Sequence, residues 1–400
     1  MIADPVRIIC PTKVAHIPMH TLLSISRLFC LFSFLGLSSL ATAQVPIPSA
    51  PNIDARGFLL VDFESGQTLA EKNADEQLEP ASLTKIMTVY IAFRELAAGN
   101  IAPDELVTIS KKAWRMAGSR MFIEVGKKIS VQDLLTGIIV QSGNDASVAL
   151  SEHIAGSEET FAQLMNTHAI RLGMTSSSFA NSTGLPDDQH FTTARDMAIL
   201  SAAMIHEFPV YYEMFAQKKF TFNDITQHNR NKLLWRDSSV DGIKTGHTEA
   251  AGYCLVASAK RESMRLISVI MGTDSEDARA KASLSLLNYG FRFFETHRLY
   301  AAAETLTDTR VWKGSQEQLA LGLREDMYIT IPRNRYDQLK ASMNIRNRIM
   351  APINKGQEIG SVEIKLDGES VFHAPLIALH DVADGTLWQR LKDEARLLIE

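Results

Sequence analysis

A serine and a lysine three residues apart, Ser82 and Lys85 in Ser-Leu-Thr-Lys, head an apolar run over 86–97 in which Arg94 and Glu95 are the only charges. Such a run reads as a helix buried on most of its circumference and stopping near Gly99-Asn100. The spacing places both side chains on one face of the opening turn, at the positive end of the helix dipole. A hydroxyl is a weak nucleophile at neutral pH until a base takes its proton, and a desolvated lysine can be that base. Ser-x-x-Lys recurs by chance in a chain of 400 residues. The chemistry therefore depends on what the rest of the chain brings to it.

The elements that must position the pair follow from periodicity. Residues 57–63 and 67–72 read as a hairpin about Glu64-Ser65-Gly66, and 104–109 and 121–124 as short extended pieces. Ser130-Val-Gln-Asp133 resembles a capping box for a helix over 131–140. Gln141-Ser142-Gly143-Asn144 interrupts that helix, and 145–156 resumes it. Helices are predicted over 158–172, 193–206 and 276–296. Short strands are predicted at 218–222 and 233–235, and longer β-branched ones at 252–259 and 265–271. The expected fold class is α/β in the α+β sense, one antiparallel sheet flanked by helices over residues 44–297. Short alternating runs between turn residues then predict a small all-β domain over 298–384. Residues 385–400 form an amphipathic helix with Leu387, Trp388, Leu391, Ala395 and Leu398 on one stripe. Two readings of it stand: packing on the β domain, or a membrane-surface anchor, which the tryptophan and mixed charges favour although three acidic residues weaken it.

Composition narrows the function classes. The chain has 41 basic and 46 acidic side chains, a net charge of −5, so the basic excess expected of a nucleic-acid binder is absent. Arg7, Lys13 and Arg27 precede an apolar stretch over 28–40 and then Ala41-Thr42-Ala43, the pattern of a signal peptide (1–43) cleaved after Ala43. Translation from Met19 would leave a leader of more ordinary length. Export to the periplasm follows. Of the three cysteines only Cys254 survives cleavage, and it reads as a small buried residue in an apolar strand. No metal-ligand cluster, G-x-G-x-x-G or P-loop is present, so neither a cofactor nor a metal is expected.

Three short motifs line up in order: Ser82-Leu-Thr-Lys85, Ser142-Gly143-Asn144 and Lys244-Thr245-Gly246. Together with Ile139-Val-Gln-Ser-Gly-Asn-Asp-Ala146, Asn229-Arg-Asn-Lys-Leu-Leu-Trp235, Asp241-Gly-Ile-Lys-Thr-Gly-His-Thr248, Met271-Gly-Thr-Asp-Ser275 and Ala351-Pro-Ile353, they give the chain its family likeness. It resembles the D-alanyl-D-alanine carboxypeptidases among the low-molecular-mass penicillin-binding proteins, over nearly all of the mature sequence. The resemblance implies a serine DD-peptidase domain at 44–297 that removes the terminal D-alanine from peptidoglycan stem peptides through an acyl-enzyme on Ser82. It also implies acylation by β-lactam antibiotics.

Site roles follow from the same likeness. Lys85 takes the proton of Ser82, Ser142 relays one to the departing amine, and Lys244 keeps the pocket electropositive. Asn144 binds the substrate amide or Lys85. The oxyanion hole is expected from the backbone N–H of Ser82 and one near His247, with Gly246 letting substrate lie against the strand edge. Lys244 and Thr245 offer a clamp for the substrate carboxylate. Arg230 and Arg279 either join that clamp or form ordinary ion pairs, and His247 either supports the site or merely packs on its strand.

Two other classes compete. A class A β-lactamase shares the motifs but needs a glutamate in a Glu-x-x-Leu-Asn loop, and none of Glu152, Glu158, Glu159, Glu207 and Glu213 is followed by that pattern. A non-catalytic penicillin-binding sensor would not require Ser82, Lys85, Ser142 and Lys244 all intact. An endopeptidase acting on cross-links is a variant of the main reading.

Overall fold

The strands 57–62, 252–261 and 264–273 are largely continuous apolar runs rather than alternating ones, and a sheet buried on both faces is what such runs build. The computed structural model describes residues 47–399. The expected leader and its cleavage site lie outside them. Five antiparallel strands form the main sheet in the order Thr68–Lys72, Gly57–Asp62, Met264–Thr273, Gly252–Arg261, Val240–Thr248. Alternate residues feed two cores. Leu59, Val256, Ile267, Val269 and Met271 face one packed with the serine helix, whereas Phe58, Leu60, Leu255, Leu266 and Ile270 face one under Glu276–Phe293. Val240–Thr248 is left as an edge, beside the serine turn.

The regular helix after the serine runs Lys85–Ala97, with ten buried residues. It begins three residues later than its spacing predicts for Ser82. Ser82 lies in a 3-10 turn, Ala81–Thr84, opened by Pro80 and by Ala81 in the left-handed region. With three residues per turn, positions i and i+3 eclipse, so the tight turn aligns Ser82 with Lys85 more directly than an α-helix would.

The second motif sits on another irregularity. Ser130 caps Val131–Thr136 as expected, accepting from the Asp133 N–H at 3.1 Å. The helix then widens into a π-turn, Gly137–Gln141, and ends on Ser142 at φ 66°, ψ 36°. Asn144–Ala155 restarts it, and Glu158–Leu172 and Ala194–Glu207 follow within a residue of expectation.

Four expectations are corrected. Residues 121–124 form no strand, because the N–H groups of Met121, Phe122 and Ile123 all point at the buried carboxylate of Asp145, at 3.0, 2.9 and 3.3 Å. Leu233–Arg236 is a short helix, opened by Asn231 Oδ1 accepting from the Leu233 N–H at 3.1 Å. The last long helix stops at Phe293. Phe294–Tyr300 leaves it as a strand paired with Met327–Pro332 and straddles the boundary expected at 297/298. Sequence reading also missed Ile225–His228, the partner of Lys219–Phe222.

Beyond this strand pair lies a six-stranded sheet in the order Lys340–Ile345, Glu358–Leu366, Glu369–Ala378, Gln318–Gly322, Thr307–Trp312, Ile349–Met350. The junction of the strand pair 294–300/327–332 with the first hairpin runs through the buried Asp62. That carboxylate accepts from Ser65 N–H at 2.8 Å and from Thr296 Oγ1 at 2.6 Å, and Ser65 Oγ meets Thr330 Oγ1 at 2.6 Å.

The terminal helix, Leu387–Leu397, packs on this sheet by its charged face. Asp393 is buried there, accepting from the Lys313 N–H at 2.7 Å with Arg310 at 3.5 Å, and Glu394 pairs with the Lys313 ammonium. The apolar stripe faces outward, with Leu387 75%, Trp388 78% and Leu398 83% exposed. Among the described residues no helix is long and apolar enough to cross a membrane.

Asp145 organises the 117–123 segment by accepting on both oxygens, and Ala146 N–H adds a fourth bond at 3.0 Å. Asp145→Asn turns one acceptor into a donor facing N–H groups. Loss of about 3 kcal/mol in urea unfolding is expected, with hydrogen exchange at 121–123 accelerating first.

Candidate active site

The serine turn, the π-turn and the sheet edge converge on one cleft of about 450 Å³. Ser82, Ser142, Asn144, Thr245, Gly246, His247, Arg230 and Arg279 all line it. Lys85 and Lys244 lie immediately behind, both buried. All ten residues singled out by sequence are thus brought together.

Lys85 is the centre of the hydrogen bonding. Its Nζ is 3.0 Å from Ser82 Oγ, 2.7 Å from Asn144 Oδ1 and 2.6 Å from the Thr183 carbonyl. Asn144 is oriented by donating from Nδ2 to the Ala117 carbonyl at 2.7 Å, which turns its oxygen toward the lysine. Both Asn144 Oδ1 and Thr183 O can only accept. A neutral amine has two N–H bonds and one lone pair. The two donors go to these acceptors, so the lone pair is left facing the Ser82 hydroxyl. Burial, reinforced by Arg230, lowers the Lys85 pKa to about 7, against the smaller opposing pull of Asp145 and Glu158. The amine is therefore substantially neutral near physiological pH.

The loop over 176–184, legible in the sequence as a loop but not as part of the site, holds that geometry. The segment carrying Thr183 is fixed by Glu158, whose Oε1 accepts from Ser182 N–H at 3.2 Å and Ser182 Oγ at 2.8 Å. Asn181 Oδ1 adds bonds from Thr183 N–H and Gly184 N–H at 3.1 and 2.8 Å. Gly184 has φ +83°, and a Cβ there would fall 1.8 Å from the Ala81 carbonyl, so the loop touches the serine turn backbone to backbone. His190 closes the same contact from behind. Its Nδ1 accepts from Ala180 N–H at 3.4 Å, leaving Nε2–H to donate to Thr84 Oγ1 at 2.9 Å. Burial drives its pKa to about 4, so it serves as a neutral strut.

Ser142 is buried in the left-handed region, and its Oγ has no hydrogen-bond partner. A non-glycine residue there is strained, and a buried hydroxyl without a partner is exceptional. Both features leave the hydroxyl available to a molecule in the cleft.

The third wall is the sheet edge. The close approach at Gly246 is made by the protein itself: a Cβ would lie 3.0 Å from Pro80 O and 3.2 Å from Ala81 Cβ. Lys244 Nζ donates to the Thr245 carbonyl at 3.0 Å. Burial first, then Lys85, Arg230 and Arg279, hold its amine well below the usual lysine range. Arg279 is buried and donates to the Gly246 carbonyl at 2.9 Å, with its guanidinium 5.5 Å from the Tyr253 ring. His247, at the exposed end of the strand, packs its ring against Tyr253 on the paired strand, ring centroids 4.0 Å apart. Arg230 is exposed at the rim. Glu158 is committed to Ser182 and Lys112, and Glu207 to Tyr90 and Arg94, so neither is a cleft carboxylate.

Comparison with known proteins bears on this constellation. A family model described as D-alanyl-D-alanine carboxypeptidase matches residues 44–275, and one for the C-terminal domain of penicillin-binding protein 5 matches 294–384. The D-alanyl-D-alanine carboxypeptidases DacC and DacA of Escherichia coli (strain K12) are 44% and 42% identical to it. Those alignments cover 90% and 88% of this chain and 92% and 89% of theirs. The solved penicillin-binding protein 5 of Haemophilus influenzae superposes with a TM-score of 0.83 at 41% identity, over 84% of this chain and all of that one. With the motifs gathered in one cleft and both family models matched in order, the chain belongs to the D-alanyl-D-alanine carboxypeptidase family.

Proposed function

We propose that Ser82 is the nucleophile and Lys85 its base in a serine-type D-Ala-D-Ala carboxypeptidase of peptidoglycan, which β-lactams acylate. The observation that carries this reading is the Ser82 hydroxyl 3.0 Å from a buried amine of pKa about 7. Lys85 takes the hydroxyl proton as Oγ attacks the carbonyl between the two D-alanines. Backbone N–H groups of Ser82 and near His247 receive the developing oxyanion. Ser142 relays that proton from Lys85 to the departing amine, so D-alanine leaves with Lys85 neutral again. Water then attacks the ester with Lys85 again the base. The substrate carboxylate is held by Thr245, Arg230, Arg279 and Lys244, whose depressed amine regains its proton once an anion lies beside it. In a β-lactam the leaving nitrogen stays tethered to the acyl group, so it blocks the water and the adduct persists.

Protein exported by residues 1–43 would act in the periplasm, with the peptidase part over 44–297, the β part over 298–384 and the last helix lying on a membrane surface. The docked helix supports the last point. Asp393 turns inward to Arg310 and Lys313 and Glu394 pairs with the Lys313 ammonium, so two of the three acidic residues that weaken an anchor in sequence are held by cations of the β domain. The outer face keeps Leu387, Trp388, Leu391 and Leu398.

Ser82→Ala should lose both D-alanine release from a D-Ala-D-Ala pentapeptide and the penicilloyl adduct mapped by mass, the former by at least about 10³-fold. Equal release by wild type and variant would remove the serine mechanism, and rapid penicillin turnover would restore the β-lactamase reading. Because the base must be uncharged, kcat/KM should rise about tenfold per unit up to pH about 7 and then level. A profile flat from pH 5 to 9 would exclude Lys85 as base. Leu391→Glu should weaken sedimentation with anionic vesicles about tenfold or more without changing soluble turnover; unchanged sedimentation would dismiss the anchor.

A further inference from the structure

Of the sixteen residues lining the cleft, Glu276 alone brings a carboxylate, into a site with Arg230 and Arg279 on its walls and Lys85 and Lys244 behind. It opens the helix Glu276–Phe293, directly after the capping Ser275. Its Oε2 is 3.0 Å from Lys232 Nζ and its Oε1 is 4.0 Å from Arg279 Nη2. The bond from Lys232 holds its carboxyl below the usual range, so it is ionised throughout the working pH. Its side chain is 47% exposed, so water and salt screen part of the charge.

Charge counting at this end of the cleft is informative. Arg279 already donates to Gly246 O and lies against Tyr253, and Glu276 occupies its remaining side. On the carboxypeptidase reading, the departing residue's main-chain carboxylate sits here. Two arginines would readily accept a second anion. Glu276 prevents that, because an anionic side chain on the departing residue would meet a like charge, and a cationic one an opposite charge.

We propose that Glu276 is a specificity-determining residue for the departing C-terminal residue, favouring a neutral or cationic side chain and rejecting an anionic one. The inference rests on the carboxypeptidase reading of the same cleft. Its test measures kcat/KM for peptides ending in D-Ala-D-Ala, D-Ala-D-Lys and D-Ala-D-Glu, from the amino acid released. Wild type should prefer the D-Lys peptide over the D-Glu peptide about tenfold at low salt, with the ratio shrinking at 1 M salt. Glu276→Gln should reduce the ratio to about twofold, Glu276→Asp should retain most of it, and Lys232→Met, which unmasks the carboxylate, should raise it. A merely structural role at the helix start would change all three peptides together and leave the ratio intact. A ratio unchanged in Glu276→Gln, with D-alanine still released from D-Ala-D-Ala, overturns this proposal alone. No release of D-alanine by wild type would overturn the carboxypeptidase reading and this inference with it.

Discussion

An uncharged amine inside the protein is the constraint on which the rest of the structure depends. Moving the Lys85 pKa from 10.5 to about 7 costs the fold roughly 5 kcal/mol wherever both states carry the proton. The sign follows from the lowered folded-state value. The penalty is complete below pH about 7 and fades as pH rises toward 10.5, so this residue alone makes the fold more stable in alkali. A stabler protein would place an apolar side chain there, as buried charges are commonly replaced without loss. What the penalty sustains is a lone pair aimed at a hydroxyl, and the aim depends on two fixed acceptors, Asn144 Oδ1 and Thr183 O. Removing either would let an N–H of the amine turn toward Ser82, and the base would become a donor.

The surrounding architecture follows from fixing those two acceptors. Asn144 begins a helix only because the π-turn and the strained Ser142 break the previous one. Asp145, next in sequence, ties the 121–123 segment to that break, close to Ala117, which orients Asn144. Thr183 is placed from the opposite side by Glu158 through Ser182. Both buried carboxylates accept from N–H groups, so each fixes a loop and adds a pull on the lysine that partly offsets desolvation. The sheet contributes its free edge, where the missing side chain of Gly246 lets Pro80 O and Ala81 Cβ of the serine turn approach closely.

Sequence reading found the parts whose chemistry is local. Ser82 with Lys85 lies within one helical turn, where spacing reports a shared face, whereas Ser142 with Asn144 and Lys244 with Thr245 each lie within one short motif that the family likeness picks out. The helix Glu158–Leu172 was legible from its periodicity and the following Gly173. The parts that escaped are long-range or have no side-chain signature. A backbone carbonyl such as Thr183 O is invisible in a sequence. Asp145 to residues 121–123, Glu158 to Ser182 and His190 to Thr84 join ordinary residue types across 22 or more positions. The missed boundary at Phe293 has a similar origin: the apolar residues of 294–300 suit helix and strand alike, and the pairing with Met327–Pro332 decides. At the last helix the stripe was read correctly, but which face docks depended on Lys313 and Arg310, some eighty positions away.

The cleft's charges also explain how one substrate can satisfy a cationic clamp and a neutral base at once. Burial holds both amines below the usual lysine range, reinforced by Arg230 at Lys85 and by Lys85, Arg230 and Arg279 at Lys244. An arriving carboxylate lowers the cost of protonation for whichever amine lies nearer. Lys244 stands on the strand whose Thr245 and Gly246 line the cleft, whereas Lys85 lies behind Ser82 with its N–H bonds already engaged. On the proposed function, the proton drawn in by substrate goes to Lys244, while the Lys85 amine, its two N–H bonds held by Asn144 Oδ1 and Thr183 O, keeps its lone pair on Ser82.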